Sequence, residues 1–145
     1  MRLAARARTT ASPAQVWEVL GTPSRWPEFE PWLRRVRGTQ RRATTGQALV
    51  GVSRFYGVTV PIDVLEAVPG DRLVLRLHTA PGVTQTVTHE LLPTVQGGSD
   101  VRVGVVVEGL FARAAAGPLW LASALTLRLL VVRAERLARA ARRAA

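Results

Sequence analysis

The chain has 145 residues, a formal net charge of +10 and no cysteine. A length of this order fits one domain, residues 1–145, that buries about 68–70% of its unfolded surface. Absence of cysteine excludes a disulfide scaffold, a thiolate zinc site and a cysteine nucleophile, and two histidines, His78 and His89, supply no metal-ligand set, so no metal or cofactor is expected.

Every basic residue is arginine. That composition reads first as the bias of a GC-rich genome; the charge still predicts attraction to polyanions or anionic membranes. The opening "MRLAARARTT" is basic but has no apolar run behind it, which points away from a secretory signal and toward the cytoplasm.

Residues 2–10 alternate, with Leu3, Ala5, Ala7 and Thr9 on one face and Arg2, Arg6 and Arg8 on the other, which predicts a half-buried strand. In "SPAQVWEVL" Ser12 caps a helix, Pro13 takes its first position, and Val16, Trp17, Val19 and Leu20 form an apolar stripe up to Gly21. The next stretch, "GTPSRWPEFEPW", gathers Trp26, Phe29 and Trp32 among three prolines. Each proline removes a backbone donor, so one or two short helical turns fit better than a regular element.

Strand candidates follow at 47–56, 58–67, 72–79, 83–92 and 101–109, with a further edge strand at 33–38. Gly57, "PGD" at 69–71, "PG" at 81–82 and "GGSD" at 97–100 mark the turns between them, and links this short favour antiparallel pairing. From Pro118 the period becomes helical. Leu119, Ser123, Thr126, Leu127, Leu130, Ala134, Leu137 and Ala141 share one face, and Arg128, Glu135, Arg139 and Arg142 take the opposite one. The segment 114–132 is nearly long enough to span a bilayer, but Gly117-Pro118 and a central Arg128 favour a helix buried against the sheet. Leu121, Leu125 and Val132 stay exposed in a lone monomer, which leaves membrane contact or a homodimer through this helix open.

This order of elements predicts an α+β fold, a curved antiparallel sheet of six or seven strands around a long C-terminal helix, with two short helices after the first strand and a cavity between sheet and helix. "SPAQVWEVLGTPSRWPEFEPW" at 12–32, with "GVSRF" at 51–55, "AVPGDRLVL" at 67–75 and "GGSDVRV" at 97–103, resembles the helix-grip fold of the START-like, birch-pollen-allergen-like (SRPBCC) superfamily. Within it the chain is similar to the polyketide cyclase/dehydrase and lipid-transport family. The resemblance implies that Trp17, Trp26, Phe29 and Trp32 plug one end of the grip and act as cavity wall second, with ligand entry at the plug.

Alternation places Val83, Gln85, Val87, His89 and Leu91 on the inner face of 83–92, and Leu73, Leu75 and Leu77 inward on 72–79, with Arg76 and His78 outside. His89 fits either a group that orients or deprotonates an enol or carbonyl compound, or a neutral histidine bonded to a neighbour. Arg54 and Tyr56 share a face of 47–56; if that face is inward, they hold the oxygens of a poly-keto chain, as related aromatase/cyclases do with an inward arginine and tyrosine. Expected catalytic residues are thus Arg54, Tyr56 and His89. Expected ligand contacts are Trp26, Phe29, Trp32, Leu75, Gln85, Val87, Leu127 and Leu130.

No nucleophile elbow or phosphate loop occurs, and the arginine clusters at 34–42 and 133–143 lack the interleaved aromatics of a nucleic-acid site. Three functions fit: a carrier of a lipid, quinone or polyketide-like molecule, a polyketide cyclase/aromatase acting by aldol condensation, and a membrane-surface or partner-binding protein. An inward Arg54 favours the enzyme; an uninterrupted apolar cavity favours the carrier.

Overall fold

Turns of two to five residues join the five consecutive strands between Ala48 and Glu108, too short for a parallel crossover, and every neighbouring pair in the sheet is antiparallel. The computed structural model describes residues 1–38 and 41–145. Thr39 and Gln40, inside the basic cluster 34–42, lie outside the described residues. The strands are β1 (Arg2–Thr9), β2 (Leu33–Arg37), β3 (Ala48–Ser53), β4 (Thr59–Val68), β5 (Arg72–Ala80), β6 (Val83–Pro93) and β7 (Ser99–Glu108). They form one sheet in the order β1-β7-β6-β5-β4-β3-β2. Register shifts opposite Val64/Glu66 of β4 and Leu77/Ala80 of β5 insert extra residues, and such bulges bend strands into a curved sheet.

Helix α1 (Pro13–Leu20) starts as its sequence predicts. Ser12 Oγ accepts from the Gln15 N–H at 3.2 Å while Gln15 Oε1 accepts from the Ser12 N–H at 2.9 Å, a reciprocal cap. A 3-10 helix, Pro23–Glu28, follows and carries Trp26 inward, its Nε1 donating to the Leu20 carbonyl at 2.8 Å. Trp17, Trp26, Phe29 and Leu33 join the core at this end of the sheet.

Helix α2 (Ala112–Ala144) begins six residues before Pro118, where the sequence pattern starts it. The alanines of 112–116 are strong helix formers, and Pro118 leaves only the Ala114 carbonyl without its usual partner. Ala114 is exposed, so water can take that carbonyl. Among the described residues α2 is the helix long and apolar enough by length and composition to cross a membrane. Its inner side packs on α1, β1 and β7. Glu135, expected toward solvent, is half-buried and accepts from Thr9 Oγ1 at 2.9 Å, tying the helix to β1.

Candidate functional site

Strand alternation sets the wall of a cavity. Leu75 faces Val87 and Leu77 faces Gln85 across the β5–β6 ladder, and Leu73 pairs with His89. Val60 of β4 and Val103 of β7 widen the wall, Leu119, Ala122, Ser123 and Thr126 of α2 stand opposite, and Glu30 and Trp32 close a side. The volume is about 340 Å³, at the lower end for small-molecule sites. Ala122 and Ser123 offer this space only short side chains.

Few polar groups meet here. Glu30 Oε2 accepts from Trp32 Nε1 at 3.0 Å and from Thr126 Oγ1 at 2.9 Å, so one carboxylate bridges the plug segment and α2. Burial pushes the Glu30 carboxyl up from 4.5 to about 7, and the two hydrogen bonds pull the other way. Backbone bonds fix its position: the Glu30 N–H donates to the Trp26 carbonyl at 2.9 Å, and the Glu30 carbonyl accepts from Leu33 at 3.1 Å. Pro31 then biases Glu30 out of the helical region, and a turn over Pro31 and Trp32 leads into β2.

His89 is 5% exposed, and burial lowers its pKa from 6.5 to about 4, with the Leu73 backbone acting in the opposite sense. Its imidazole is neutral at pH 7. His89 Nδ1, Gln85 Oε1 and Thr79 Oγ1 are buried without hydrogen-bond partners. Buried polar atoms left in this state are costly unless a ligand or water meets them.

Of the residues expected at the site, Trp32, Leu75, Gln85, Val87 and His89 line the cavity. Trp26, Phe29, Leu127 and Leu130 are buried in the core and do not line it. Arg54 and Tyr56 are not inward. Strand β3 ends at Ser53, so both belong to the turn before β4, where no alternation applies. Arg54 is exposed and donates from Nε to the Leu33 carbonyl at 3.1 Å; Tyr56, fully exposed at φ 55, occupies the left-handed region. Sequence reasoning passes over Glu30 and Thr79, and places Thr126 on the inner helix face without marking it for the site. The signal for Glu30 was a carboxylate inside "FEPW", set between rings with no basic neighbour.

A curved antiparallel sheet gripping a long helix, with an apolar cavity between them, defines a START-like helix-grip protein. Residues 2–143 match the polyketide cyclase / dehydrase and lipid transport family, and the chain belongs to it. No curated protein matches the sequence. Among solved structures, the chain is similar to a protein from Mesorhizobium loti at 20% identity and TM-score 0.76, covering 94% of this chain and 98% of that one. A Helicobacter pylori protein matches at 13% identity and TM-score 0.77, over 92% and 88%. A START superfamily protein from Mycobacterium smegmatis matches at 14% identity and TM-score 0.70, over 94% and 98%. At these identities the likeness is one of fold.

Proposed function

We propose that the protein binds a hydrophobic small molecule, of lipid, quinone or polyketide-like character, between the sheet and α2. The observation that carries this reading is an apolar cavity holding buried, unpartnered polar atoms on Gln85 and His89. Apolar walls supply affinity and a few convergent polar groups supply orientation. Native mass spectrometry of protein purified from its host, followed by denaturing extraction, tests it. A co-purifying apolar compound whose release changes Trp32 fluorescence supports the reading. Failure to take up any apolar compound, from the host or added, overturns it.

Proton transfer is a second reading, favoured by Glu30. A carboxyl with a pKa of about 7 beside an apolar cavity suits removal of a proton next to a ketone carbonyl, the first step of an aldol cyclisation. His89, neutral and buried, would hold an oxygen of the substrate in its hydrogen-bonding range rather than serve as a strong base. Arg54 and Tyr56 take no part. Glu30→Gln should then abolish cyclisation of a poly-keto substrate while leaving its binding measurable.

Surface association is a third. Leu121, Leu125, Leu129 and Val132 form an exposed stripe on α2 with Arg128 beside it. Phe55, Tyr56, Leu110 and Phe111 are exposed in turns at one end of the sheet. With arginine contributing about 1 kcal/mol each near an anionic surface, this combination fits peripheral membrane binding. Sedimentation with anionic but not zwitterionic vesicles supports it; a dimer that hides the stripe overturns it.

A further inference from the structure

Glu30 is the one carboxylate among the residues lining the cavity, and His89, the other ionisable group there, is uncharged at pH 7. Both hydrogen bonds to Glu30 fall on Oε2, and neither uses Oε1. No arginine lines the cavity; Arg54 donates to the Leu33 carbonyl, and Arg133 of α2 pairs with Glu28 at 3.2 Å. Among the described residues, no arginine pairs with Glu30. Gln85 and His89, 8% and 5% exposed, line the same cavity and carry an unpartnered Oε1 and Nδ1.

We propose that Glu30 Oε1 anchors the polar end of the ligand, and that the cavity selects hydrophobic molecules ending in an amine or hydroxyl over those ending in a carboxylate. This rests on the ligand-binding reading. An ammonium or hydroxyl donates to Glu30 Oε1 and has further acceptors within the same apolar enclosure. A ligand carboxylate has no donor to offer and sets a second negative charge beside the first. Two carboxylates brought together in a mostly apolar cavity oppose each other's ionisation, so one holds a proton at a cost in affinity. The selection runs against the protein's overall charge of +10, which by itself would draw anions.

Equilibrium dialysis of the full chain with four probes sharing one skeleton tests this: naphthalene, 1-naphthylmethylamine, 1-naphthylmethanol and 1-naphthoic acid. At pH 8 the amine should bind at least tenfold more tightly than the acid, with the alcohol between. Amine affinity should rise from pH 6 to pH 8 as Glu30 loses its proton, and naphthalene should bind equally throughout. Glu30→Gln should weaken the amine about tenfold, strengthen the acid, and leave naphthalene unchanged. Thr126→Val, which removes one hydrogen bond to the carboxylate, should move the rise in amine affinity to higher pH. Equal binding of amine and acid by the native protein overturns the proposal and leaves the carrier reading standing. Failure of naphthalene and all three derivatives to bind overturns the proposal, and the carrier reading falls with it if no host compound is taken up either.

Discussion

Along α2 the side chains turned toward the sheet change from Leu119, Ala122 and Ser123 in the first half to Leu127, Leu130, Val131 and Ala134 in the second, and the packing changes with them. The second half is core, closed by buried leucines and alanines, and α1 packs on this helix. The first half is a wall, with a cavity on its inner side and exposed Leu121 and Leu125 on its outer side. One helix thus anchors the fold at one end and encloses space at the other. Stability and ligand capacity are drawn from different turns of it, and they should respond separately to substitution.

The largest expected difference comes from paired truncations. Leu130→Ala, at a fully buried position, should cost about 2–5 kcal/mol in urea denaturation. Leu119→Ala, at a half-buried cavity position, should cost about 1 kcal/mol. Equal losses would mean that the first half is packed as tightly as the second.

The two titrating groups of the wall sharpen the contrast through pH. Glu30 has its folded pKa raised, so the stability it contributes is fully present below about 4.5 and is lost as pH rises through about 7, roughly 3 kcal/mol in all. His89 has its folded pKa lowered, so its contribution is present above about 6.5 and is lost as pH falls through about 4. Between about 4.5 and 6.5 the two slopes oppose and nearly cancel. Glu30→Gln should therefore unmask stability that rises with pH across that window, and His89→Gln stability that falls. Parallel pH profiles for parent and both variants would refute the assignment.

Smaller effects separate the halves further. Ser12→Ala removes the cap of α1, the helix on which the packed half of α2 rests, and should cost about 1 kcal/mol with no change in ligand uptake. Ser123→Leu fills the cavity instead. Its stability should stay within about 1 kcal/mol of the parent while uptake of an apolar probe falls at least tenfold.

Local rules made most of this fold legible. Alternation assigned the inner faces of β5 and β6 residue by residue, and Ser12, Pro13 and Gly21 bracketed α1, because pleat and cap act over a few neighbours. Alternation did not extend to Arg54 and Tyr56, since nothing local marks Ser53 as the last residue of β3; its pairing with Leu33 of β2 does. Glu30 was missed for a related reason. Its burial depends on Thr126, 96 residues away on α2, and no spacing in the chain announces that contact. Leu130 is expected at the cavity because apolar periodicity tells inside from outside but not core from cavity wall, and Trp26 because the family resemblance makes the plug a wall. That distinction depends on whether the facing side chain is long enough to meet them.

The sheet has two free margins, β1 and β2, and these hold the densest charge in it. Each carries three arginines, while the five inner strands hold three between them. An open margin presents unpaired amides and carbonyls to any strand that approaches, including one from another copy. Arginines on both would set cation against cation in such an encounter. Much of the excess charge then acts against strand-to-strand polymerisation, keeping a valine-rich sheet dispersed where the protein is concentrated.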